Sequence, residues 1–69
     1  MTFESALQAM RAGKKVRRKL WVLTANYDYY YCMKECEYLH RFVIYNSNDK
    51  IMHGFDIDLI LADDWEVIE

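Results

Sequence analysis

Residues 2–18, TFESALQAMRAGKKVRR, change character at Gly13, and that change decides the fold. Before it, Phe3, Ala6, Leu7 and Met10 fall at i, i+3, i+4 and i+7, one apolar stripe on a short helix. Thr2 stands where a helix cap belongs. Arg11 occupies the last turn, where the backbone dipole favours a cation, and Gly13 supplies the stop. The spacing predicts a helix over 3–12. After Gly13 the helical period is gone and short β-like pieces take over.

Val16 to Arg18 reads as a brief strand, with Trp21 to Leu23 as its continuation. Tyr27 to Met33 is rich in strand formers and sets Tyr27, Tyr29, Tyr31 and Met33 on one face. His40 to Tyr45 is a further strand. Asn46-Ser47-Asn48-Asp49 is a turn by composition and leads into a hairpin partner, Lys50 to His53. Asp56 to Ala62 suits a short helical turn capped by Asp56, and Trp65 to Ile68 closes as a strand. The reading is a single α+β domain over 1–69. An N-terminal helix packs on a small antiparallel β-sheet, with a short helical turn before the last strand.

A chain of 69 residues has room for one marginal core, yet its apolar fraction is 54% and includes two Trp, six Tyr and three Phe. Some of those rings are expected at the surface, where they mark a binding face or a subunit contact. Residues 1–23 hold no apolar run of the length a secretory signal or a membrane span needs. Cys32 and Cys36 do not make a disulfide framework. The expectation is a soluble intracellular protein with reduced thiols.

The net charge of -2 hides a segregation. Residues 1–23 carry six cations and one acid, Glu4; residues 24–69 carry Lys34, Arg41 and Lys50 against ten acids. The run KKVRRKLW over 14–21 invites a nucleic-acid reading, with phosphates on the cations and bases on Trp21. Strand alternation sends Arg17 and Arg18 to opposite faces, so the run is not one patch, and a salt-bridged scaffold strand is the better account. No direct nucleic-acid contact is expected.

Cys32, Cys36 and His40 recur at i, i+4 and i+8, with His53 as a fourth candidate zinc ligand. The spacing matches no usual structural-zinc pattern, and Cys32 reads as strand. A Cys–His nucleophile lacks an oxyanion hole, and two glycines leave no phosphate-cradling loop. Neither cofactor, metal nor catalysis is expected. What remains is the tyrosine stripe and an acidic end, Phe55 to Glu69, with six acids and no cation. Carboxylates spaced over a small rigid surface can imitate a phosphate backbone and fill a groove rich in Lys and Arg.

The opening MTFESALQAMRAGKKVRRKLW and the finish LADDWEVIE resemble a phage domain family. The matching positions are Phe3, Ala6, Leu7, Gly13, Lys14, Val16, Arg18, Trp21, Leu61, Ala62, Asp64 and Trp65. That family includes the second-type Thoeris anti-defence proteins, which sequester cyclic-nucleotide immune signals as oligomeric sponges, and a type II-A anti-CRISPR protein. The resemblance implies a counter-defence role in the cytoplasm of an infected bacterial host and makes KKVRRKLW a scaffold signature. The family usually continues Trp-Asn-Gly-Lys-Gly where this chain has Trp21-Val22-Leu23-Thr24-Ala25, and Leu20 replaces a glycine. A more acidic and apolar Asp56-Ile57-Asp58-Leu59 replaces the polar segment before the finish.

Loss of the glycine-containing loop and gain of acids favour an anti-CRISPR protein of the small acidic kind. It would bind a CRISPR effector complex, a type I Cascade first among them, and block target DNA. Asp56, Asp58, Asp63, Asp64, Glu66 and Glu69 would face the effector's cations, Asp28, Glu35 and Glu37 would form a second cluster, and Tyr29 or Tyr30 would anchor the contact. The alternative is a cyclic-nucleotide sponge held by Lys14, Lys15, Arg17 and Arg18 across a homo-oligomer interface.

Overall fold

The computed structural model describes residues 1–26 and 28–68. In chain order the elements are α1 (Phe3–Arg11), β1 (Val16–Arg18), α2 (Lys19–Leu23), β2 (Tyr31–Cys36), β3 (Arg41–Asn46), α3 (Ile57–Leu61) and β4 (Trp65–Val67). The four strands form one antiparallel sheet in the order β3-β2-β1-β4. The α+β architecture read from the sequence is the one observed, with α1 on one face of the sheet and α3 just before β4.

Helix α1 begins and ends as its sequence dictates. The Thr2 hydroxyl accepts the Ser5 amide at 3.2 Å. At the other end Gly13 takes φ +91°, its amide donates to the Met10 carbonyl at 2.9 Å, and the Lys14 amide reaches the Ala9 carbonyl at 3.0 Å. That pair of bonds is a Schellman closure, which satisfies two orphan carbonyls and turns the chain into β1. The buried faces of Ala6 and Met10 meet Val16, Tyr31 and Trp65, and these five residues are the core.

Around the core the aromatics pack tilted or edge to face, avoiding the face-to-face stack that their quadrupoles disfavour. Trp21 lies 5.2 Å from Tyr31 and 5.6 Å from Trp65, and Phe3 lies 5.4 Å from Trp65. The Trp65 ring is 1% exposed, and its indole N–H donates to the Leu59 carbonyl at 3.2 Å, fastening α3 to β4. Trp65 therefore explains why a five-residue helix with little propensity of its own stays in place.

Several boundaries differ from the sequence reading. Trp21 to Leu23 does not continue β1; the chain coils into α2 at Lys19. The Lys19 amide donates to the Asp64 carbonyl at 2.9 Å and the Leu20 amide to the Asp64 carboxylate at 3.1 Å. A carboxylate 44 residues away thus caps the helix, and local propensity holds no trace of it. Strand β2 begins at Tyr31, so Tyr29 lies outside it, and Tyr27 lies outside the described residues. Residues 50–53 contribute a single bridge, Tyr45 to Ile51, instead of a strand. Asp56 does sit at the N-cap of α3, but its side chain makes no capping hydrogen bond there.

Candidate ligand cleft and charged surfaces

Where β2 begins and β3 ends, the sheet opens into a cleft of about 400 Å³. One wall is the segment after α2, with Ala25, Asn26 and Asp28; the floor is Tyr29 and Tyr30; the other wall is the turn residues Ser47 and Asn48. Both walls are held by hydrogen bonds. The Ala25 amide donates to the Val22 carbonyl at 3.3 Å and the Asn26 amide to the Trp21 carbonyl at 2.7 Å, a second Schellman closure, with Ala25 at φ +65°. On the turn side, the Asn46 side-chain oxygen accepts the amides of Asn48 at 2.9 Å and Lys50 at 3.2 Å. Polar side chains over this floor can meet a ligand's hydroxyls, amides and base edges.

The two floor tyrosines do different jobs. Tyr29 packs its ring 5.0 Å from Trp21 and 5.6 Å from Tyr31, anchoring the floor to the core. Tyr30 is half-buried and carries the Lys15 ammonium 4.8 Å above its ring centre, so a cation stands at the rim. Asn26, Ser47 and Asn48 were not singled out from the sequence, where 46–49 was legible only as a turn.

Of the four cations assigned to a sponge, two have structural partners across β1 and β4. Arg17 pairs with Glu66 at 2.9 Å and Arg18 with Asp64 at 2.7 Å. Alternation separates the two pairs onto opposite faces of the sheet, since Arg18 shares the face of Val16 and Trp65. The Arg18 guanidinium, with help from the Leu20 amide, holds the Asp64 carboxyl below the usual carboxylate range. Lys14 is exposed.

The acids expected to face a partner, as a C-terminal set and a second cluster, fall in several places. Asp28 is exposed in the cleft, whereas Glu35 lies near the far end of β2 and Glu37 in the turn beyond it. Asp56, Asp58 and Asp63 are exposed around α3. Asp64 and Glu66 are half-buried and ion-paired, so the acidic end receives from β1 the cations it lacks in sequence. Glu69 lies outside the described residues. Cys32 and Cys36 belong to β2 and His40 to the following turn, and no group of three metal-ligating side chains occurs among the described residues.

The family model of the Tad2-like domain, the Thoeris anti-defense 2-like domain, matches residues 1–68. The chain belongs to the Tad2-like family. No curated protein and no solved structure matches it. The match spans both ends of the chain and the middle strands that carry the cleft. Ala25, which stands where the resemblance in sequence sets a glycine, holds a left-handed backbone at φ +65°. Among the described residues no helix is long and apolar enough to cross a membrane.

Proposed function

We propose that this Tad2-like protein is a non-catalytic anti-defence sponge that sequesters a cyclic-nucleotide immune signal in the cleft lined by Asn26, Asp28, Tyr30, Ser47 and Asn48. It would act in the cytoplasm of the infected host. Family membership over residues 1–68 carries the reading, and the cleft supplies a place for it. A volume of about 400 Å³ falls within the range of small-ligand sites. Tyr30 offers an aromatic wall for a base, Lys15 an ammonium for phosphate, and Asp28 an acceptor for ribose hydroxyls. The ligand is held and not transformed, so inhibition is stoichiometric and needs only an affinity tighter than the signal's working concentration.

Inhibition of a CRISPR effector by an acidic surface has weaker support. Asp64 and Glu66, two of the carboxylates it would use, are neutralised by Arg18 and Arg17.

Calorimetric titration with a panel of cyclic nucleotides tests the sponge. One member should bind saturably, be recovered chemically unchanged after the protein is denatured, and lose at least about tenfold in affinity to Asn48→Trp, which fills the cleft from an exposed turn position. Absence of heat with every member, or recovery of an altered ligand, overturns the proposal.

A further inference from the structure

The sheet has two faces, and the helices occupy one of them. Ala6 and Met10 of α1, Trp21 of α2 and Leu59 of α3 all pack toward Val16, Tyr31 and Trp65. Alternation then assigns the opposite face. Cys32, Lys34 and Cys36 of β2 point there together with their register partners Tyr45, Val43 and Arg41 on β3, as do Arg17 and its partner Glu66. By the same alternation Lys15 and Tyr30, each one residue before a core residue, fall on this side, and the two are in contact with one another. The alternation that breaks KKVRRKLW into two faces thus gathers Lys15 and Arg17 with two cations from elsewhere in the chain.

The character of this face is specific. Among the described residues, the cations Lys15, Arg17, Lys34 and Arg41 share this face with the carboxylates Glu66, paired with Arg17, and Asp49, paired with Lys34. Both tyrosines carry an ammonium over the ring, Lys15 at 4.8 Å on Tyr30 and Lys34 at 4.4 Å on Tyr45. Tyr45 is the register partner of Cys32, two residues beyond Tyr30, so the rings occupy diagonal neighbouring positions, about 7–8 Å apart. A second copy laid face to face would set cation against cation. The complementary occupant is a polyanion that also offers flat groups at short, regular spacing.

We propose that this open sheet face binds single-stranded nucleic acid, with successive bases stacked on Tyr30 and Tyr45 and the flanking phosphates on Lys15, Lys34 and Arg41. Base stacking on aromatic residues of a four-stranded antiparallel sheet is a general solution for single strands, because every base has a π-face. An arriving base takes the ring face, and the ammonium above it swings to the rim and meets phosphate. The exposed ion pair of Lys34 with Asp49 yields readily to that exchange.

Fluorescence anisotropy with labelled 12-mers of mixed-sequence DNA and RNA tests the idea on the full chain. Saturable binding of one or both is expected, with a log–log salt slope of about −2 for three phosphates. Tyr45→Ala should weaken binding about tenfold, and Lys34→Gln should flatten the slope; both positions lie outside the cleft. Neither variant should change cyclic-nucleotide binding, because neither Tyr45 nor Lys34 lines the cleft, so the two functions fail independently. Heparin has the charge without the bases. If it competes as well as the 12-mer, or if Tyr45→Ala binds like the parent, base stacking is overturned. So is it if no 12-mer binds, or if a dimer forms through this face and excludes the oligonucleotide.

Discussion

The Asp64 carboxylate accepts the Arg18 Nε–H at 2.7 Å while its second oxygen accepts the Leu20 amide at 3.1 Å. One side chain thus ends β1, starts α2 and ties both to the approach of β4. Arg18 is only 16% exposed, so removal of its partner leaves a mostly buried guanidinium and an uncapped helix. Asp64→Ala should destabilise the fold by about 2 kcal/mol. A chain this short has roughly 3–10 kcal/mol in total, so that loss is readily seen in urea denaturation. Asp64→Asn, which keeps an acceptor for the Leu20 amide, should lose less.

The same pair sets an acid limit. Because the folded carboxyl titrates below its unfolded value, its contribution is fully present above about pH 4. It disappears as pH falls further, through the depressed folded value. The parent should therefore lose stability on acidification more steeply than Asp64→Asn, measured as urea midpoints between pH 6 and pH 3. Parallel curves for the two proteins would refute the assignment.

Ala25 holds φ +65° in the closure that ends α2. For an L-residue that conformation costs about 1–2 kcal/mol, against a smaller gain from the less flexible unfolded chain. Ala25→Gly should consequently stabilise the protein by about 0.5–1 kcal/mol, a shift of a few degrees in Tm. Ala25→Val, with a branched side chain at positive φ, should destabilise it and disturb the wall of the cleft.

What could be read in the sequence follows the range of the forces involved. Helix α1 was legible because its stripe, cap and glycine stop lie within twelve residues. The β3 segment and the 46–49 turn were legible from local alternation and turn chemistry. Helix α2 was not, because its cap is Asp64, and neither was the neutralisation of the acidic end, because the cations that pair with Asp64 and Glu66 stand on β1. Single-sign runs in sequence say little about surface charge once strands pair. The cleft was hidden for a related reason: Tyr30 stood out as a tyrosine, but Ser47 and Asn48 become a wall only when β2 and β3 are in register.

Tyr31 is 2% exposed beneath the aromatic cluster, and burial, reinforced by Tyr29 beside it, pushes its phenol well above the ordinary tyrosine range. The neutral form is what the fold accommodates. Its contribution is complete below pH of about 10, where an unfolded tyrosine begins to ionise, and is lost as pH rises toward the folded value. Ultraviolet titration should show one tyrosine that ionises only with unfolding. Tyr31→Phe should remove that late step and raise the alkaline unfolding midpoint.

Cys36 closes β2 at the tight turn into β3, and the turn is wrapped around its sulfur. The Leu39 amide, then the Tyr45 hydroxyl, the Tyr38 amide and the Arg41 charge favour the thiolate and lower its pKa against the opposing effect of desolvation. The same hydrogen bond raises the Tyr45 phenol, since a hydroxyl donating to sulfur holds its proton. In a Cys32→Ser background, where Cys36 is the sole thiol, iodoacetamide alkylation followed against pH should have its midpoint below about 8.5, the ordinary thiol value. Tyr45→Phe should move that midpoint upward and leave the fold intact. Because Tyr45 also lies on the open sheet face, alkylated Cys36 should bind single-stranded oligonucleotide less well than the free thiol. An alkylation midpoint at or above the ordinary value would show that the turn does not stabilise the thiolate.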